Sequence, residues 1–179
     1  MNRWIVYILA LSSALICCQE PQARRPKKQI SQNFYNEIIE SNKKLNRLQK
    51  ERLESLIAKD TLNNYKVSTN GYWYYYEKKD TSQSISPKLG DLVEIEFDIR
   101  SINDHIIYQH QTIEYRVDKE DFIPALQHGI KLMKTGETIT FVIPSYSAFG
   151  ITGDGNKIGI NQAIKSTVTL IEIKTNTQQ

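Results

Sequence analysis

The sequence predicts an α+β fold in which a curved antiparallel sheet wraps around one short helix, with a helical extension in front of it. Three observations predict it. From Gly90 to Ile173 the chain reads as short strands separated by turn residues. One helical stretch, Asp121–Leu132, interrupts those strands. Before them, from Ser31 to about Asp60, the apolar residues recur at helical rather than strand spacing. Strands with a single helix across them bury one sheet face, which is the α+β solution.

The first eighteen residues follow the grammar of an export signal. Arg3 is a short basic start, Trp4–Ile16 is apolar, and Ser12-Ser13-Ala14 is a patch of small residues. The apolar run is short for a bilayer span, which takes about 20 residues. The only cysteines are Cys17 and Cys18, where the apolar run stops. No cysteine follows, so the remainder is held by its own core rather than by disulfides, even in an oxidising compartment. Residues 1–17 are read as the signal peptide and 18–30 as a flexible tether. Gln19–Ile30 is polar, basic and contains prolines. Its Arg24, Arg25, Lys27 and Lys28 are read as a solvated spacer, with anionic headgroups as the other use open to them.

Residues 31–64 form the helical extension. Phe34, Ile38, Leu45, Leu48, Leu56 and Ile57 make its apolar stripe, which drifts at Ser41-Asn42. Two helices with a short break are expected, the second capped by Asn42, with the stripe packing on the rest of the chain. Residues 65–88 hold a hairpin and a polar loop. Asn70-Gly71 between two strand-like runs marks the turn. In the aromatic run that follows, Tyr72, Tyr74 and Tyr76 fall on one face of a strand and Trp73 and Tyr75 on the other. Alternation explains this run more economically than a stacking platform for nucleic acid or glycan.

The domain proper is expected over 89–176. Its strands are Gly90–Arg100, Ile106–Gln109, Thr112–Val117, Glu137–Ile143 and Ile164–Ile173. Pro124 suits the first turn of the helix, with Leu126, Ile130 and Met133 facing inward. Lys134-Thr135-Gly136-Glu137 is a turn with Gly where φ is positive. The charge excludes some functions. A net charge of +3 with mixed signs carries no nucleic-acid footprint. His105, His110 and His128 form no metal-ligand spacing, and Gly150–Asn156 is neither a phosphate loop nor a calcium loop. Asp154 within it reads as a turn residue.

Several motifs occur in one order: Gly90-Asp91, the strand ending Ile95-Glu96-Phe97, the Asp121–Gly129 helix, Lys134–Glu137, Ile143-Pro144-Ser145-Tyr146-Ser147-Ala148-Phe149-Gly150, and a terminal apolar strand. In this order they resemble the FKBP-type peptidyl-prolyl isomerases over about Leu89–Lys174. Leu15-Ile16-Cys17-Cys18 resembles a bacterial lipobox, with Cys18 as the lipidated residue, although Cys17 fills a position where Gly, Ala or Ser is usual. With the Ala23–Pro26 tether and the Gly71–Tyr74 strand, the whole chain resembles the gliding-motility-associated isomerase lipoproteins of gliding bacteria. The resemblance implies an FKBP-like sheet and an apolar pocket. Phe97, Tyr108, Phe122, Ile123, Leu126 and Phe149 then form its catalytic surface, and Gln109, Ile113, Ile158 and Ser166 contact substrate. It implies no cofactor and no metal. The partners it implies are proline-containing segments of envelope proteins, with the lipid on the outer membrane and the domain facing the periplasm.

The departures from the family pattern concern polar groups. Gln109 replaces an Asp, Phe149 a Tyr whose hydroxyl meets a ligand carbonyl, and Leu126 a Trp at the pocket floor. The Ile123 backbone N–H, which the family uses to hold a substrate carbonyl, is independent of side chain. Two readings follow. One is a lipid-anchored prolyl isomerase that catalyses folding of envelope proteins. The other is an FKBP-fold binding or assembly module with little turnover.

Overall fold

The computed structural model describes residues 32–81 and 85–174. The signal peptide, the Cys17-Cys18 pair and the tether lie outside the described residues. The chain divides into two compact units, 1–38 and 39–179. In the first, the described residues 32–38 open helix α1 (Gln32–Lys59), and Phe34, Tyr35 and Ile38 there are exposed.

Helix α1 is continuous, where a break at Ser41-Asn42 was expected. Ser and Asn cost only a few tenths of a kcal/mol more than Ala in a helix, and no Gly or Pro occurs between Gln32 and Lys59. Ion pairs one turn apart, Glu40–Lys43 at 3.0 Å and Lys50–Glu54 at 3.8 Å, support the helix on either side. Asp60 closes its C-terminal end: its carboxylate accepts from the Leu62 N–H, the Asn63 amide and the Tyr65 hydroxyl. Within residues 39–59 the expected packing stripe is used at Ile57, beside Leu53, which the stripe did not include. Leu53 is buried and Ile57 partly so, whereas Leu45, Leu48 and Leu56 stay exposed. Among the described residues, no helix is long and apolar enough to cross a membrane.

Six strands follow: β1 (Lys66–Val67), β2 (Trp73–Lys78), β3 (Leu92–Ser101), β4 (Ile106–Arg116), β5 (Thr138–Ile143) and β6 (Ile164–Lys174). They form one antiparallel sheet in the order β1-β2-β5-β6-β3-β4. The Asn70-Gly71 turn joins β1 to β2 as expected, with Gly71 at φ 78°. The aromatic run alternates as read. Tyr72, Tyr74 and Tyr76 pack on the main core, while Trp73 joins Leu53 and Val142 in a smaller core under α1. Because β2 pairs with β5, this run is an integral strand of the sheet.

The two segments expected as Ile106–Gln109 and Thr112–Val117 are one strand, β4, with a bulge. Phe97 pairs with Gln111 but Ile99 pairs with Tyr108, so Gln109 and His110 stand opposite Asp98 alone. A bulge of this kind reverses the side-chain alternation beyond it. Tyr108 and Gln111 therefore share the inward face with Phe97 and Ile99.

Helix α2 (Pro124–Ile130) crosses that inward face and is shorter than the expected Asp121–Leu132. Proline disfavours helical geometry in the residue before it, and Ile123 is extended at φ −60°, ψ 121°. Asp121-Phe122-Ile123 is thereby left as a non-helical segment beside the sheet. Ala125, Leu126, Gly129 and Ile130 are buried against it. A Cβ built on Gly129 would stand 2.4 Å from Phe141 Cε1, so only glycine allows this approach. The following turn is organised by the buried Glu137, whose carboxylate accepts from the N–H groups of Lys134 at 2.9 Å and Asp80 at 3.0 Å. Gly136 takes φ 83° there, as its place in the sequence required.

Gly129→Ala is expected to destabilise the fold by about 1–3 kcal/mol through overpacking against Phe141. The check is a denaturant titration, in which the midpoint falls and the slope is unchanged.

Candidate active site

Between the inward face, the Asp121–Ile123 segment and the Phe149–Ile160 loop lies a cavity of about 450 Å³. That size is within the range of small-molecule and peptide-side-chain sites. Its sheet wall is Phe97, Ile99, Tyr108 and Gln111, brought to one side by the β4 bulge. Asp121, Phe122 and Ile123 form a second wall, held extended by Pro124. Phe122 is fixed by an edge-to-face contact with Phe97, centroids 5.2 Å apart, and a tilted contact with Tyr115 at 5.3 Å. Phe149 closes the third side.

Phe149 is placed by a tight turn. Pro144 leads into the 3-10 turn Ser145–Ser147, and the Ala148 and Gly150 N–H groups both donate to the Ser145 carbonyl, at 3.0 and 2.8 Å. The loop beyond closes on itself, since Asn161 N–H donates to the Gly150 carbonyl at 2.9 Å. At its far end Asp154 is the organiser. Its carboxylate accepts from the Asn156 and Ile158 N–H groups, each at 2.8 Å, and from the Tyr108 hydroxyl across the cavity rim. Lys157 caps the same contact, with Nζ 5.1 Å from the Tyr108 ring centroid. Gly153 is needed beside Asp154, because its φ is 68° and a Cβ would meet the Ile158 carbonyl at 2.2 Å. The Tyr108 hydrogen bond holds Asp154 below the ordinary carboxyl value of 3.8 and lifts the Tyr108 hydroxyl above 10.0.

Five of the six expected catalytic residues line this cavity: Phe97, Tyr108, Phe122, Ile123 and Phe149. Leu126 does not. It is fully buried in the core on α2. None of the four expected substrate contacts lines it either. Gln109 is exposed on the β4 bulge, and the bulge gives its place to Gln111. Ile113 lies further along β4, opposite Ile95. Ile158 turns into the core, 3% exposed. Ser166 is fully buried, and its hydroxyl donates to the Asp98 carbonyl at 2.7 Å. Ile99, Gln111, Asp121 and Asp154 line the site without having been anticipated. For Asp154 the sequence marked the turn, but not its partner on β4.

The polar equipment of the cavity is modest. Tyr108 and Asp154 engage each other. The Ile123 carbonyl accepts from the Leu126 and Gln127 N–H groups, whereas the Ile123 N–H has no acceptor among the described residues. No cluster of metal-ligating side chains occurs among the described residues. Such a cavity can desolvate an apolar group and hold one carbonyl.

Residues 83–171 match the family model of the FKBP-type peptidyl-prolyl cis-trans isomerases. That segment, just under half of the chain, is similar to this family. It is 26% identical over 157 residues to the probable FKBP-type peptidyl-prolyl cis-trans isomerase FkpA of Neisseria meningitidis, covering 86% of this chain. The chain spans 57% of the length of that relative. Among solved structures, FkpA from Escherichia coli is similar with a TM-score of 0.60 and 21% identity, over 97% of this chain and 83% of that one. A peptidyl-prolyl isomerase from Pseudomonas syringae pv. tomato gives 0.59 and 21%, over 72% and 96%. At these identities the two structures speak for the FKBP fold.

The lowered Asp154 value has a consequence with a definite sign. Loop order contributed by Asp154 is present above pH 3.8 and is lost as pH falls through its lowered value. The part contributed by the Tyr108 hydroxyl is present below pH 10.0 and is lost as pH rises through its raised value. The amide NMR shifts of Asn156 and Ile158 should therefore titrate together with an acid midpoint below 3.8. A midpoint at or above that value would contradict the arrangement.

Proposed function

We propose that this protein is a peptidyl-prolyl cis-trans isomerase, a folding catalyst tethered in the cell envelope by lipid on Cys18 and acting on proline-containing segments of envelope proteins. The observation that carries the activity is the aromatic cavity of Phe97, Tyr108, Phe122 and Phe149 with the Ile123 N–H at its wall. Rotation about an X–Pro amide makes and breaks no bonds. Its barrier, about 18–20 kcal/mol, comes from lost resonance. Water stabilises the charge-separated planar amide, so an apolar cavity lowers the barrier by removing that water. Walls that fit the twisted amide better than either planar form add to the effect. The proline ring enters among the four aromatic rings, and the Ile123 N–H donates to the substrate carbonyl. Neither a nucleophile nor a general base is required.

Phe149 lacks the hydroxyl that a tyrosine would offer, so transition-state binding is weaker by about one hydrogen bond, 0.5–1.5 kcal/mol. Phe149→Tyr is expected to raise kcat/KM by about two- to twelvefold, and Tyr108→Ala to lower it. The measurement is NMR exchange of several Xaa-Pro peptides. If the folded wild-type protein leaves their exchange at the uncatalysed rate, the isomerase reading is lost. The alternative, an FKBP-fold binding module for an envelope complex, then takes its place.

The envelope location rests on Trp4–Ile16 and Leu15-Ile16-Cys17-Cys18, and the connection to gliding-motility proteins on the tether and the Gly71–Tyr74 strand. Gln19 after Cys18 is compatible with outer-membrane sorting and a domain facing the periplasm. Cys18→Ser is expected to release the protein from membranes and abolish labelling by radioactive fatty acid. Loss of label in Cys17→Ser but not in Cys18→Ser would move the anchor by one residue.

A further inference from the structure

The family match begins at residue 83, yet the turn that carries Phe149 is held from helix α1, far upstream. Gln49 makes the connection. Its side-chain oxygen accepts from the Ser145 N–H at 2.8 Å and from the Ser145 hydroxyl at 2.9 Å. Its side-chain NH₂ donates to the Asn161 carbonyl at 2.8 Å. The amide orientation is dictated by its partners, because a backbone N–H can only donate and a carbonyl can only accept. Ser145 opens the 3-10 turn and Asn161 ends the rim loop. Those two residues are also joined through Gly150, which donates to the Ser145 carbonyl and accepts from Asn161 N–H. The result is a closed ring of hydrogen bonds, Gln49–Ser145–Gly150–Asn161–Gln49. Phe149 sits one residue from it, and the loop it closes carries Asp154.

Two features make Gln49 more than one contact among many. It is half-buried between two hollows, of about 260 and 240 Å³, so α1 rests on the loop here by polar bridging rather than by close packing. In addition, Asn161 holds φ 51°, a left-handed conformation that this bond and the one to Gly150 help to fix.

We propose that Gln49 is a positioning residue for the isomerase cavity, so that helix α1, outside the matched segment, sets the placement of Phe149 and the rim loop. This rests on the isomerase reading. The test substitutes Gln49→Glu in the full chain. A carboxylate keeps both bonds from Ser145 but turns a lone pair toward the Asn161 carbonyl, and protonation restores an O–H donor. Arg52 is the one charged side chain among the residues lining the two hollows, and it stays cationic throughout. A pH-dependent response is therefore that of the introduced carboxyl.

The expected result for Gln49→Glu is a kcat/KM at pH 7 lower than wild type by about two- to tenfold, the scale of one lost hydrogen bond. Activity returns toward wild type as pH falls through about 5, near the ordinary Glu range, while wild type and the outward-facing control Lys50→Ala stay flat. Amide hydrogen exchange is the second readout. Gln49→Leu should speed exchange at Gly150 and Asn161 and leave Gly136 and Leu170 unchanged. Gln49→Glu with a flat pH profile equal to wild type, or unchanged exchange at Gly150 and Asn161 in Gln49→Leu, overturns the proposal. If wild type itself is inactive, the isomerase reading fails separately, and the exchange pattern alone decides whether Gln49 holds the loop.

Discussion

The structure depends on a mismatch of size. Helix α2 has seven residues, which makes it about 10 Å long. The sheet it must cover has six strands, about 24 Å from edge to edge at ordinary spacing. Curvature of the sheet and the close approach at Gly129 let so short a helix seal the middle of the inward face. What it does not reach must be covered by something else or stay open. Over β3 and β4 the cover is partial: an extended segment on one side, a loop on the other, aromatic rings between them. The cavity is the uncovered remainder of the core, which explains why it is apolar and why its walls are core residues continued outward.

That origin constrains the chemistry. Core-like walls supply desolvation and shape, and few polar groups can be maintained there without partners. Of the four polar side chains that line the cavity, Tyr108, Gln111, Asp121 and Asp154, two are set against each other at the rim, Tyr108 on Asp154. This pairing orders the loop through the Asp154 carboxylate, which also accepts from the Asn156 and Ile158 N–H groups. Isomerisation of an amide suits such a site, because the ground state is the better hydrated and more polar form.

Much of this was legible in the sequence because it follows from period and from single special residues. Tyr72–Tyr76 could be assigned to two faces by alternation, and Gly136 to a turn by its need for positive φ. The helix was legible in kind, but its start was not. The apolar pattern reaches back to Phe122, whereas the local effect of Pro124 on Ile123 decides the boundary and leaves Phe122 to line the cavity. The β4 bulge was not legible, because it is a property of two strands together. Gln109 and Gln111 are the same residue type two positions apart, and only pairing with β3 tells which one faces inward. At Ser41-Asn42 the signals were too weak to break a helix with no Gly or Pro in it. Gln49 gave no signal at all, since a glutamine on a helix reads as surface until its partners, 96 and 112 residues away, are known.

The same reasoning separates the recognisable domain from the physical one. A boundary near Leu89 follows the motifs, and the family match begins a few residues earlier. Yet β2 lies before both and pairs with β5, so removing it would expose the edge of the strand that carries Ile139, Phe141 and Ile143. Its turn also reaches the site: Tyr146 donates to the Gly71 carbonyl at 3.1 Å and Ser147 to the Asn70 carbonyl at 3.3 Å. The 3-10 turn under Phe149 is therefore gripped on one side by the hairpin and on the other by Gln49 of α1. Motifs mark where side chains are constrained by function. The stretch that folds around them is set by where backbone hydrogen bonds and buried faces find their partners, and here that stretch begins in the helical extension.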